Sequence, residues 1–339
     1  MIDLRSDTAT RPTPGMRAAI AAAIVGDEQK REDPTVLELE RRGADLLGQE
    51  EAVFLPTATM ANQIALRILS EPGDDLLAEA NSHVLIYEHG GPAVHSGLVM
   101  RPLEGRAGRF TPEQVRAALR RQSVVSVENS HNSSGGRVWP PAALQELAAD
   151  CRALGARVHL DGARLANAAV ASGVAPADLG RHFDTVTLCL SKGLGCPLGA
   201  LVAGSSELMA EARSGKFLFG GAMRQAGIVA AAGLYALDHH LDRIADDHRR
   251  ARVLAEGLHA AGVPVDLEQV ETNFVQIDLG RLGLDRSEAL ERLRNQGVGL
   301  SVTIHPTVLR AVTHLDVSDD DIDRALDAIP QALGVLVRA

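Results

Sequence analysis

The run Asp184-Thr185-Val186-Thr187-Leu188-Cys189-Leu190-Ser191-Lys192-Gly193 decides the fold. After Asp184 it holds only β-branched or apolar residues as far as Leu190, the pattern of a strand covered on both faces in a parallel sheet. The serine, lysine and glycine that follow mark the strand's mouth. Open α/β sheets bind ligands beyond the carboxyl ends of their strands, so Lys192 stands where ligand sites form. The glycines of Lys192-Gly193-Leu194-Gly195 let a bulky group approach the backbone. Lysines are ordinarily solvated surface residues, so the neighbours of this one must decide its role.

Moving outward, Val158-His159-Leu160-Asp161 is a second strand that ends on an acid, and Ala200 to Ala203 is a third, after a turn holding Pro197 and two glycines. Apolar spacing predicts helices over 16–25 and 35–47, with Pro34 in the first turn of the second. Thr111-Pro112-Glu113-Gln114 matches a capping box that opens a helix over 112–121. Helical and strand-like segments alternating in this way predict an α/β protein with a mostly parallel sheet. From about 246, amphipathic patterns surround two strand-like runs, Asn273 to Leu279 and Arg310 to Thr313. They predict a smaller α+β domain over 246–339 behind a large domain over 1–245, the two joined by a helix over 224–245.

The chain has 339 residues, of which 45% are hydrophobic, enough for a large core and for two domains. A formal charge of −10 and the lack of any Lys/Arg run argue against nucleic acid as a partner. The start, Met1 to Thr8, has no apolar core and does not read as a signal peptide. Apolar stretches such as Ile228 to Leu237 are too short to cross a bilayer. Cys151, Cys189 and Cys196 are odd in number and lack CxxC spacing, which argues against disulfides and against structural zinc, so a reducing cytoplasm is expected and no metal. Aromatics make up 3% of the chain, so Ala, Val, Leu and Ile must build the core.

Asp161 gives Lys192 its meaning. A carboxylate at the end of a neighbouring strand can pair with a protonated ring nitrogen, the arrangement used to bind pyridoxal 5′-phosphate (PLP). Its alternative role is to cap a helix over 163–172. Leu55-Pro56-Thr57-Ala58-Thr59-Met60-Ala61-Asn62 is a strand end turning into a helix. The free N–H groups of Thr57, Ala58 and Thr59 can cradle a phosphate there, or the segment is an ordinary capped helix. His83, between predicted elements, can stack on a pyridine ring or move a proton.

With these residues in view, the chain resembles the low-specificity L-threonine aldolases of PLP fold type I, the aspartate aminotransferase-like group. The resemblance covers nearly the whole chain and rests on Asp3-Leu4-Arg5-Ser6-Asp7-Thr8, Glu32-Asp33-Pro34-Thr35, Thr59-Met60-Ala61-Asn62-Gln63, Glu128-Asn129-Ser130-His131-Asn132 and His159-Leu160-Asp161-Gly162-Ala163-Arg164. It continues through Cys189 to Gly195, Met223-Arg224-Gln225-Ala226-Gly227 and Val312 to Ser318. It implies that Lys192 carries PLP as a Schiff base, that Asp161 partners the ring nitrogen and that His83 stacks over the ring. Thr57, Ala58 and Thr59 fall on the family's Ser-Gly-Thr phosphate loop, and Arg224 reaches the phosphate from a neighbouring subunit. Ser6, Arg164 and Arg310 fall on the residues that hold the substrate carboxylate, a planar group suited to a forked guanidinium, with Arg164 counted in the cofactor site as well. His83 and His131 match a pair near the β-hydroxyl, Glu88 a nearby carboxylate, and Tyr87 lines the side-chain pocket.

The resemblance further implies retro-aldol cleavage of L-threonine, L-allo-threonine and related L-3-hydroxy-α-amino acids to glycine and an aldehyde. The expected partner is this small amino-acid substrate, in a homo-oligomer built as a dimer of dimers. Another PLP-dependent lyase reaction, such as β-elimination or phenylserine cleavage, is the first alternative. A non-catalytic PLP-binding protein is the second. The chain departs from the family at Lys30-Arg31, where Tyr-Gly is usual, and in Phe219-Gly220-Gly221-Ala222, after a one-residue insertion following Lys216. Both departures bear on substrate preference and leave the cofactor residues intact.

Overall fold

The run that ends at Lys192 is a strand in a computed structural model of the chain, which describes residues 1–120 and 122–335. The strands, in chain order, are β1 (Ile2–Asp3), β2 (Glu51–Leu55), β3 (Asp75–Glu79), β4 (Val99–Leu103), β5 (Ser123–Glu128) and β6 (Arg157–Gly162). There follow β7 (Thr185–Cys189), β8 (Ala200–Gly204), β9 (Phe274–Asp278), β10 (Val298–Gly299), β11 (Ser301–Val302) and β12 (Val308–Val312). Seven of them form one sheet in the order β2-β8-β7-β6-β5-β3-β4. All its pairings are parallel except those of β8, which runs antiparallel to both its neighbours.

Both faces of this sheet are covered, which is why its strands read as unbroken apolar runs. Ala52, Phe54, Leu201 and Ala203 enter the larger core on one face, and Val53, Leu55, Ala200 and Val202 enter a second core on the other. The register pairs Glu128 with Asp161 and Asp161 with Thr187, so the polar ends of β5, β6 and β7 meet at one edge of the sheet.

Local signals place several helices where the sequence predicts them. Pro34 opens Pro34–Leu47, and the Asp33 carboxylate caps it by accepting from Val36 N at 3.0 Å. Thr111 and Gln114 form both halves of the capping box of Pro112–Ala118. The predicted end of that helix, residue 121, lies outside the described residues. The helix expected over 16–25 spans Pro14–Ala21 instead, because Thr13 caps it and Pro14 starts it two residues early.

The single helix expected over 224–245 is two helices, Gly227–His239 and Ile244–Ala260. The buried His240 ring donates from Nδ1 to the Leu194 carbonyl at 2.7 Å, and this contact with the loop after Lys192 turns the chain between them. Ile244 belongs to the core beneath the large sheet, whereas Ala251, Leu254 and Leu258 of the same helix enter another. That core packs on the antiparallel sheet β11-β12-β9 and reaches to Leu333. It also takes in Ile2 and Leu4, since β1 pairs in parallel with β10. The first residues of the chain are thereby fixed beside its last third.

Candidate active site

Asp161 ends β6 and is 2% exposed. Its Oδ1 accepts from Ala163 N at 3.0 Å and its Oδ2 from Asn62 Nδ2 at 2.8 Å, which leaves lone pairs on both oxygens for a further donor. The contact with Ala163 has the character of a cap. The helix, however, starts at Leu165, with Arg164 at its N-cap, so capping does not account for Asp161.

Lys192 follows β7, and its backbone carbonyl is held by the Thr10 hydroxyl at 2.9 Å and by Gly195 N at 2.8 Å. Among the described residues its ammonium makes no hydrogen bond or ion pair. Thr57 caps helix Ala58–Ile68 through Met60 N, while the amides of Ala58 and Thr59 keep the unfilled donors of a helix start. A primary amine without a partner, a buried acceptor and a free helix N-terminus fit a pyridine ring with a carbonyl and a phosphate, which is the donor set PLP requires.

The end of β5 organises the opposite wall. Glu128 accepts from His83 N at 2.6 Å and from Asn132 N at 2.7 Å. His83 Nδ1 meets Glu88 Oε1 at 3.0 Å, and its ring tilts against Tyr87 at 5.4 Å between centroids. Burial lowers the basicity of His83, but Glu88, Asp161 and Glu128 outweigh it and raise the imidazole above its usual range. His131 is 1% exposed; its Nε2 lies 3.1 Å from Glu79 Oε2, and its Nδ1 accepts from Ser134 N at 3.2 Å. Against the desolvation of its burial, Glu128 and Glu79 raise this imidazole too. Ligand atoms of His83, Glu88 and Asp161 lie within 4.8 Å of one another, a grouping tied together by the His83–Glu88 bond and by Asn62, which donates to both acids.

Two guanidiniums meet on one phenyl ring, Arg164 at 4.9 Å and Arg310 at 5.1 Å from the centroid of Phe274. Arg164 forks onto Asp7 at 2.6 and 2.7 Å, and both residues are buried. Burial would raise the Asp7 carboxyl, yet Arg164, Lys192 and Arg310 hold it well below the usual carboxylate range. Arg310 donates to Ser301 Oγ at 3.3 Å and to Asn132 Oδ1 at 3.0 Å, and forms no ion pair among the described residues. Burial, with Arg164 nearby, pulls it down to about 10. The pair therefore carries one positive charge that the protein does not neutralise.

Of the residues singled out in the sequence, the fold joins Asp161, His83 and Glu88 in one network, with Tyr87 stacked on it, and brings Arg164 to Arg310. The Ser6 hydroxyl is turned to Thr8, at 3.2 Å from its amide and 2.9 Å from its hydroxyl, so only its neighbour Asp7 touches the arginines. Arg224 pairs with Asp27 at 3.1 Å and, among the described residues, makes no hydrogen bond or ion pair with the cofactor candidates of its own chain. Sequence reasoning missed Asp7, Asn62, Glu128, Asn132, His159 and Phe274 as separate site residues. All but Phe274 lie inside the quoted motifs, and that was their only signal.

The fold and the site together define a member of the beta-eliminating lyase family, which matches residues 3–280. The chain is 38% identical to the low specificity L-threonine aldolase of Escherichia coli K12, over 95% of this chain and 96% of that one. It is 33% identical to low-specificity L-threonine aldolase 1 of Arabidopsis thaliana, over 98% and 96% of the two chains. In fold it is similar to a threonine aldolase of Leishmania major, with a TM-score of 0.84, 18% identity and coverage of 98% and 100%. Within the lyases, the chain belongs to the low-specificity L-threonine aldolase family.

Proposed function

We propose that this chain cleaves the Cα–Cβ bond of L-threonine, L-allo-threonine and related L-3-hydroxy-α-amino acids, giving glycine and an aldehyde, with PLP held on Lys192. The carrying observation is that Asp161 and Lys192 stand at the carboxyl ends of adjacent strands, while the buried Asp7 lies within the electrostatic reach of Lys192, Arg164 and Arg310 together. PLP, when bound, supplies the sink for the electron pair released as the bond breaks.

The protein's own residues do the rest. Asp161 would accept from the ring nitrogen, and the N-terminus of helix 58–68 would receive the phosphate. Arg310 and the free edge of Arg164 clamp the substrate carboxylate, which sets the Cα–Cβ bond in the orientation for cleavage. We assign the β-hydroxyl proton to His83. Glu88 holds its Nδ1 and leaves Nε2 as the proton acceptor, whereas both ring nitrogens of the buried His131 face protein groups.

Purified protein incubated with L-threonine, L-allo-threonine and L-phenylserine tests the reading. Aldehyde and glycine are expected; ammonia and a keto acid would establish β-elimination instead.

The assembly belongs to the same proposal, a homo-oligomer arranged as a dimer of dimers and acting in the cytoplasm. It is supported by Arg224 pairing with Asp27 rather than with any cofactor candidate of its own chain, and by the exposed Phe217, Leu218 and Ile228 near it in sequence. No described helix is long and apolar enough to cross a membrane. The division into domains near residue 245 is supported by the change of core between Ile244 and Ala251.

A further inference from the structure

Asn62 is 1% exposed, and its amide is fully engaged. Nδ2 lies 2.8 Å from Asp161 Oδ2 and 2.9 Å from Glu88 Oε1, while Oδ1 lies 3.2 Å from His159 Nε2. Flipping the amide would aim its oxygen at two carboxylates, so chemistry fixes the orientation. His159 completes the arrangement. Its ring is 0% exposed, and burial pushes it down to about 4, so it is neutral and carries one N–H. That hydrogen must lie on Nε2 to meet the Asn62 carbonyl, and Nδ1 then accepts from the Thr185 hydroxyl at 2.9 Å. From Thr185 to the two acids, every proton has one direction.

We propose that Asn62 is a positioning residue that couples the ring-nitrogen acid Asp161 to the acid–base pair Glu88–His83 by donating one hydrogen to each carboxylate. Two acids sharing a small buried space repel, and one of them ordinarily takes up a proton. Asn62 places a donated hydrogen on each, which offsets that repulsion. The other groups facing the two acids are Gln63, which donates to Glu88 at 2.5 Å, the Ala163 amide on Asp161, and the titratable His83, His131 and Glu128. One neutral amide thus contacts both the carboxylate assigned to the ring nitrogen and the carboxylate that holds His83. The inference rests on Lys192 and Asp161 being cofactor residues.

The test uses reconstituted protein in wild-type, Asn62→Asp, Asn62→Ala, His159→Leu and His159→Gln forms. Borohydride reduction followed by peptide mapping comes first. A wild-type protein unlabelled at Lys192 would defeat the cofactor reading itself, whatever Asn62 does. With that label in place, PLP affinity and the pH dependence of both the cofactor absorption and kcat/KM are measured. Asn62→Asp should keep the label while its PLP Kd rises about tenfold. The acid limbs of both profiles should move up by about one pH unit, because a third carboxylate forces a proton onto the cluster.

Asn62→Ala and His159→Leu should shift the limbs in the same direction by less. His159→Gln, whose amide can still donate to Asn62, should restore the wild-type profile. A merely structural role would lower Tm and leave the pH limbs in place. Wild-type limbs and PLP affinity in Asn62→Ala and His159→Leu would overturn the proposal, even if Asn62→Asp does not fold.

Discussion

Arg310 is a part-buried cation that forms no ion pair among the described residues. Arg164 is answered by Asp7, so an incoming carboxylate finds one positive charge in excess, already ordered by Ser301 and Asn132. Truncating Arg310 to Ala is therefore expected to lower kcat/KM by roughly 10- to 100-fold, from the loss of a charge-assisted hydrogen bond. The loss should be similar for every 3-hydroxy substrate and should appear chiefly in KM, since the clamp touches what all of them share. Equal kcat/KM in steady-state assays of the variant would remove Arg310 from the site. Asp161→Asn should bind PLP yet turn over about a hundredfold more slowly, the scale expected when a preorganised charge is lost. An unchanged rate would reduce Asp161 to its contact with Ala163. The placement of Asp161 and Lys192 at strand ends was legible in the sequence. The contacts of Asp7 and Asn62 were not, because their partners stand 157 and 99 residues away and only folding brings them together.

At the scale of elements, local chemistry was legible and long-range chemistry was not. The strands that carry Asp161 and precede Lys192 lie where β-branched runs predict them, and Asp33, Thr111 and Gln114 cap the helices their sequence announces. The break between Gly227–His239 and Ile244–Ala260 depends on a hydrogen bond from His240 to Leu194, which no periodicity of that segment records. The helix that begins at Ala58 invites a direct test. Thr57→Ala removes its side-chain cap and should destabilise the protein by about 1 kcal/mol. Because this turn is the proposed phosphate site, PLP affinity should fall with it. A denaturation series with and without PLP checks both, and a loss of stability with unaltered PLP affinity would detach the helix start from the cofactor.

Across the whole molecule, buried titrating groups set the response to acid. His159 is held at about 4 against an ordinary 6.5, so the unfolded chain takes up its proton first as pH falls. The contribution of the neutral ring is complete above about pH 6.5 and is withdrawn between there and about pH 4, a loss of about 3 kcal/mol. Asp247 acts in the opposite sense. Burial raises it to about 6, so the folded state takes up that proton first and gains stability over much of the same range. The two effects offset in the wild type, and only a comparison isolates His159. In His159→Gln, stability should fall less steeply than in the wild type between pH 6.5 and 4; parallel curves would contradict a neutral buried ring.

The pairing of β1 with β10 has a consequence for the order in which the protein can be made. Ile2 pairs with Val298, so a growing chain must carry its first strand unpaired until nearly nine-tenths of its length exists. The seven-stranded sheet, with Asp161, Lys192 and the start of helix 58–68, needs no residue beyond Gly204 to form its ladder. Asp7 and Arg310 reach their places only when the two ends of the chain meet. A nascent chain is therefore expected to assemble the groups proposed to grip PLP before those proposed to hold an amino acid, and competence for turnover should arrive with the closing of β1.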